Sequence, residues 1–372
     1  MKIMDLVFLV LKSFFAFTLI LSVVVFVHEY GHYIVAKKCG VKIESFSIGF
    51  GREIFGWYDS SGTRWKFAML PFGGYVQMFG DEDPSSSSKD KEKLEKLSES
   101  EKAQTLYYQN VYKRFAIVLA GPFFNLMFAI LILTASYKIN GITYLDPVIS
   151  EIIQNSPAER AGIEEGDLIT EINGKEVKTF GDVKSIIALN LHKNLEIGII
   201  RGDKFFTVNI TPELQEITDP LGNKVQSEMI GISSSLAHYN DANYVEAFIE
   251  ANSTIYKICK NTLRALGQMI IGDRSLSELG GPIKIAKYSG QSLSKGFGTV
   301  IWFMVMISAN LGLMNLLPIP MLDGGHLFLY IIEIVRRKPI SDKIQGRLFK
   351  VGFAFLIGLM IFATVNDIIS IF

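Results

Sequence analysis

"VFVHEYGHYIVAKK", residues 25–38, puts two imidazoles and a carboxylate on one helical turn at the end of an apolar run that begins near Leu6 and is interrupted only by Lys12. On an α-helix, residues four apart share a face, so His28 and His32 can grip one metal ion. Glu29 stands beside them, within reach of a water on that metal. Zinc suits two imidazole nitrogens plus a carboxylate with one position open. It lowers the pKa of a bound water to about 7, and a glutamate acting as general base then passes the proton to a leaving amine. The same spacing in a soluble helix would say little. Here each charged side chain at a membrane-helix centre costs about 2.5–3.5 kcal/mol, so ionisable groups in such a run point to function. A proton relay or ion path in a transporter is the other use for them.

The chain has 372 residues, enough for two or three domains. Hydrophobic residues make up 49% and the mean hydropathy is +0.29, apolar for a soluble enzyme. Lys+Arg and Asp+Glu balance at 37 each, so no global charge attracts nucleic acid. Cys39 and Cys259 form no CxxC site and no disulfide framework. Four segments read as membrane spans: Leu6 through the histidines, Phe115–Tyr137, Gly296–Leu322, and a weaker one at Val351–Phe372. No small-x-small cleavage site follows the first, so a retained span is expected there. Lys37, Lys38, Lys42, Arg52, Lys113 and Arg114 flank the connection between spans one and two. Arg336, Arg337, Lys338, Lys343 and Arg347 crowd that between three and four. Both connections are therefore expected on the cytoplasmic side, with the long 139–295 connection outside. At 1.5 Å per residue, His28 falls about 34 Å along a helix starting near Asp5, close to the cytoplasmic boundary.

Along the chain, residues 1–40 read as the first membrane helix. Residues 41–80 alternate Phe46, Ile48 and Phe50 with Ser45, Ser47 and Gly49. That is strand periodicity, with a turn at Asp59–Gly62, and the aromatics suggest a β-hairpin region at the membrane interface. Residues 81–112 are a polar linker and solvated helix, and 113–138 the second span. Residues 141–215 alternate strand-like runs with two short helical patterns, turning at Gly166-Asp167 and Asn173-Gly174. In the 216–295 connection, Val245, Phe248, Ile255, Cys259, Leu263, Leu266 and Ile270 follow helical spacing. That helix is expected on the membrane surface or against the membrane domain. Residues 296–323 are the third span, 324–350 a cytoplasmic connection, and 351–372 the fourth span.

"SANLGLMNLLPIPMLDGGH", residues 308–326, offers the third ligand. Pro318 and Pro320 break the helix, and such unwound backbone persists at membrane depth only inside protein or beside a cavity. Asp323 is the natural ligand and His326 its competitor. Asn310 and Asn315 are amides able to hydrogen-bond an extended substrate, or to satisfy the broken helix.

HEYGH, "NLLPIPMLDGGH" and the intervening "SPAERAGIEEGDLITEINGKEV" together resemble the RseP-type site-2 proteases, bacterial intramembrane zinc metalloproteases, over nearly the whole chain. The resemblance implies zinc on His28, His32 and Asp323, Glu29 as catalytic base, and Asn315 against the substrate backbone. It also implies that the segment near Phe46–Tyr75 pairs with an unwound substrate as an added strand. "AGPFFN" (Gly121, Pro122, Asn125) and "GGPIKIA" match family patterns too, with helix packing and kinking a sufficient role. The middle module resembles a PDZ domain of the bacterial protease type, present once. Domains of this kind capture extended segments by strand addition, and in this family they are thought to filter substrates by size.

The expected fold is a multi-pass α-helical membrane protein of four spans, with a membrane-associated β-hairpin region and an inserted α+β PDZ domain outside the bacterial inner membrane. Its expected work is cleavage of single-span membrane proteins downstream of another protease. Trimmed anti-sigma factors and signal-peptide remnants are the substrate types implied. A silent PDZ adaptor is the rival from another class; the intact Glu29 argues against it.

Overall fold

The computed structural model describes residues 3–80, 96–191, 193–218 and 224–371. They fall into two compact units, one of Met1–Ile132 with Leu279–Phe372 and one of Leu133–Glu278. Among the described residues four helices are long and apolar enough to cross a membrane: Val7–Lys38, Val111–Asn140, Phe297–Leu316 and Lys343–Ser370.

The first helix, α1, runs Ile3–Lys38 and ends on two lysines that suit the negative end of its dipole. The expected hairpin comes next as β1 (Ile43–Tyr58) and β2 (Arg64–Met78). Its register is doubled, because residues 45–48 partner Arg64–Phe67 on one side and Gly74–Gln77 on the other. Phe46 is fully buried in the middle. The DSSG turn is built on Asp59, which accepts from the Ser61 and Thr63 backbone N–H groups, both at 2.9 Å. It also accepts from Tyr33 Oη at 2.8 Å and Trp65 Nε1 at 3.2 Å. Tyr33 belongs to α1, so this carboxylate staples the turn to the helix that carries the histidines.

Residues 81–95 of the expected polar linker lie outside the described residues. The helix after them is short: α2 (Glu99–Lys102), closed by a capping box of Ser98 and Glu101. The second span, α3, covers Val111–Asn140 and contains Pro122. Arg114, near its start, pairs with Glu333 at 2.5 Å.

The middle unit opens with β3 (Ile142–Leu145) and β4 (Glu151–Ile152), then α4 (Pro157–Arg160), β5 (Leu168–Ile172), β6 (Lys175–Glu176), α5 (Phe180–Ala188), β7 (Leu195–Arg201) and β8 (Lys204–Ile210). Four of these make an antiparallel sheet in the order β6-β5-β7-β8. Its core holds Ile149, Ile169, Ile172, Phe180, Val183, Leu195, Ile197 and Ile199. Asn173 and Gly174 both take positive φ, 51° and 68°, which gives the hairpin turn expected there. The module does not stop at 215. A further hairpin, β9 (Glu213–Thr218) with β10 (Lys224–Met229), leads to β11 (Ile232–Ser233), which pairs with β4. Ile230 is 1% exposed in the same core, so the boundary moves because a polar hairpin hides a core residue beyond it. The strand β12 (Ala237–Asn240) returns to pair with β3.

Asp167 is fully buried beneath Arg201, with Nε at 2.7 Å and Nη2 at 2.8 Å. Burial alone would raise its pKa. The Arg201 hydrogen bonds and the Glu164 backbone N–H outweigh that and hold it below the usual carboxylate range. A folded-state pKa below the unfolded one adds stability above the unfolded value of about 3.9, lost as pH falls toward the folded value. Amide exchange over residues 149–201, relative to intrinsic rates, should therefore accelerate below about pH 4, and Asp167→Asn should remove that acid transition. An unchanged transition in Asp167→Asn would assign it elsewhere.

The amphipathic helix is α6 (Tyr244–Ile271), with an Asn243–Glu246 capping box. It lies against the module, a partner the spacing did not show. Lys257 pairs with Asp182 at 2.9 Å, Gln268 Nε2 donates to Leu189 O at 2.7 Å, and Tyr137 Oη meets Thr254 Oγ1 at 3.2 Å. Ala247, Ala251 and Ile255 make the buried face, while Val245, Phe248, Leu263 and Ile270 stay exposed. Small alanines pack where the larger residues were expected to.

The end of the 216–295 connection is likewise not free, because it forms α7 (Pro282–Lys295). Fully buried Ser289 and Ser292 and the close-packed Gly290 bring it against α1, where Lys12 Nζ donates to Ser294 Oγ at 2.8 Å. The third span, α8 (Phe297–Leu316), stops six residues before Leu322. Leu317 precedes a proline and is extended. Met321 then takes φ 80°, strain of the sort found at functional sites. The expected 324–350 connection is mostly helix: α9 spans Asp323–Arg336. The last span, α10 (Asp342–Ile371), begins nine residues before Val351. Its Asp367, fully buried, accepts from the Gly281 and Lys284 N–H groups, both at 2.9 Å, and so caps α7.

Candidate metal centre

His28 and His32 project from one face of α1, and Asp323 opens α9. The turn around Pro318 and Pro320 brings them together. His28 Nε2 is 3.2 Å from His32 Nε2. Asp323 Oδ2 lies 3.1 Å from the first and 3.6 Å from the second. One ligand atom from each residue falls within 4.8 Å of the others, and no other His, Cys, Asp or Glu joins the group among the described residues. His326 does not join, and its ring lies against that of Phe349, tilted by 38° with the centroids 4.7 Å apart.

The donor set fits zinc. Asp323 Oδ2 is buried without a hydrogen-bond partner among the described residues while facing two ring nitrogens. Such an atom is what a cation would satisfy. Each histidine turns its other nitrogen toward α3: His32 Nδ1 donates to Ile117 O at 2.9 Å, and His28 Nδ1 meets the Asn125 amide at 3.2 Å. Ligating histidines are normally oriented in this way. Gly121 leaves room for the rings, since a Cβ there would overlap His32 Nε2 and come within 2.9 Å of His28 Cε1.

Glu29 points to the hairpin side. A Cβ on Gly74 would sit 3.3 Å from Glu29 Cγ, so the segment 74–77 passes directly over this residue. That segment has residues 45–48 on one side and, among the described residues, no strand on the other. Asn315 reaches the centre, its Nδ2 3.5 Å from His28 Nε2. Asn310 is half-buried five residues earlier on α8, about 140° round the helix from it. The two amides therefore do not share a face.

Asn125 and Gly121 are the site residues that sequence reading assigned only to packing. The signal for Asn125 was an amide in an uncharged span.

Residues 16–359 match the sequence pattern of peptidase family M50. The chain belongs to peptidase family M50. A relative named "Putative zinc metalloprotease Atu1380" in Agrobacterium fabrum is 39% identical over 359 residues, 95% of each chain. A similarly named protein of Rickettsia conorii is 39% identical over 363 residues, 97% of this chain and 99% of its own. Metalloprotease MmpA of Caulobacter vibrioides is 31% identical over 372 residues, 94% of this chain and 93% of its own. A solved PDZ domain of an SdrC-like protein from Listeria monocytogenes aligns with 25% of this chain and 90% of its own at 26% identity. Its TM-score of 0.20 is too low to bear on the fold. This M50 peptidase is a zinc-dependent metalloendopeptidase and a multi-pass protein of the inner membrane.

Proposed function

We propose that His28, His32 and Asp323 hold the zinc of this M50 peptidase, and that Glu29 is the base for hydrolysis of peptide bonds within single-span membrane proteins. The convergence of both Nε2 atoms on the orphaned Asp323 Oδ2 carries the reading. The chemistry a bound zinc supplies is Lewis acidity, which brings a water's pKa to about 7. Glu29 takes the proton from the attacking water and returns it to the leaving amine. A helix hides its own peptide bonds, so the substrate must unwind first. The segment 74–77, paired on one side only among the described residues and lying over Glu29, supports strand addition as the way an unwound stretch is held. Asn315 then offers its amide to the substrate backbone.

The basic residues at the span ends support a topology with residues 41–112 and 324–350 cytoplasmic and the middle module outside. Cys259 should then react with a membrane-impermeant thiol reagent added outside, and Cys39 should not. Burial pushes the Cys259 thiol up, so labelling belongs at alkaline pH. Outside labelling of Cys39 alone would reverse the topology. The middle unit reads as one PDZ-like filter that admits substrates already trimmed by another protease, such as anti-sigma factors or signal-peptide remnants. Removal of residues 142–240 should raise cleavage of untrimmed substrates and spare zinc binding. Lost cleavage of an already trimmed substrate would instead give the module a required docking role.

The experiment for the substrate class compares the membrane proteomes of wild-type and Glu29→Gln cells. Single-span proteins lacking their outer domains should accumulate in the variant. Accumulation confined to soluble proteins would sink the reading.

A further inference from the structure

We infer that Asn125 is a positioning residue that decides which nitrogen of His28 is offered to the metal; this rests on the reading of His28 as a zinc ligand. A neutral imidazole carries one N–H and one lone pair. Ligation through Nε2 puts the hydrogen on Nδ1, and inside a water-poor span that hydrogen needs an acceptor. For His32 the acceptor is the Ile117 carbonyl, a main-chain atom that no substitution removes. For His28 the neighbour is the side-chain amide of Asn125, 0% exposed and 3.2 Å from Nδ1.

The two ends of an amide have nearly the same shape but opposite hydrogen-bonding character. With Nδ2 toward the ring, Nδ1 must be the acceptor and the His28 hydrogen moves to Nε2, facing Asp323 Oδ2. Asn125 Oδ1 is then buried without a partner. With Oδ1 toward the ring, Nδ1–H is satisfied and the Nε2 lone pair points at His32 and Asp323. An amide serves both states by turning over, so the helices can pack before metal arrives. The pivot itself is held. Ser308 Oγ donates to the main-chain carbonyl of Asn125 at 2.9 Å, and a Cβ on Gly312 would lie 3.3 Å from Asn125 Cβ.

The test uses purified full-length protein, with zinc affinity measured by chelator competition and ligand geometry by the Co²⁺ absorption spectrum. Asn125→Leu keeps the branched outline, is somewhat bulkier and loses the acceptor, so zinc affinity should fall about 10–100-fold and the Co²⁺ spectrum should change. The ionised carboxylate of Asn125→Asp can only accept, and a protonated one still keeps an acceptor oxygen for Nδ1–H, so this variant should bind zinc at least as tightly as wild type. Wild-type affinity in Asn125→Leu overturns the inference, and so does equal weakening in both variants. If Asn125→Asp is not recovered folded, Asn125→Leu decides alone: weakened affinity with a changed spectrum supports the inference, and any other result overturns it. His28→Ala is the reference. Full zinc in that variant would strike the ligand reading itself, a separate failure.

Discussion

Purified Glu29→Gln protein should keep its zinc and cleave nothing measurable. The substitution preserves the shape of the side chain and the helix, and leaves His28, His32 and Asp323 untouched. It removes only the proton acceptor. General-base catalysis contributes about 10²–10⁴-fold, so the rate should fall by at least that much while substrate still binds. Co-purification of an uncleaved single-span substrate with the variant, alongside metal analysis, checks both halves. Residual cleavage near the wild-type rate would remove Glu29 from the mechanism.

The second large effect needs no ligand or base to change. Gly121→Ala puts a methyl group where His32 Nε2 lies and within 2.9 Å of His28 Cε1. Alanine favours a helix over glycine by about 1 kcal/mol, so α3 itself does not suffer. The rings must move, and zinc affinity should drop by at least the roughly 10–100-fold seen when ligand orientation is lost. Chelator competition on the folded variant measures it. Wild-type affinity would mean the crossing of α1 and α3 has slack that the structure does not show.

Much of this architecture was legible in the sequence, because apolar length and period report directly on membrane spans and paired strands. His28 and His32 were legible as a pair from their spacing within an apolar run. The hairpin was legible from the Phe46–Ile48–Phe50 alternation and the DSSG turn. Other parts depend on contacts that spacing does not encode. The α7 helix is too polar to look membrane-packed, yet Lys12 and Asp367 each give it a partner. The buried face of α6 is built on Ala247 and Ala251, which a search for large apolar residues passes over. Asp323 was visible as a ligand candidate, but the helix it opens was not. Two prolines announce a break in the chain without saying that a new helix starts three residues later. Asn125 read as packing because an amide shows its role only when the ring beside it is known.

The central claim is that three residues, two on α1 and one opening α9, form one metal site. Zinc content of purified His28→Ala, His32→Ala, Asp323→Ala, His326→Ala and Glu29→Gln tests it most directly. The account predicts loss of zinc in the first three and near-stoichiometric zinc in the last two. Full zinc in Asp323→Ala with loss in His326→Ala would contradict it.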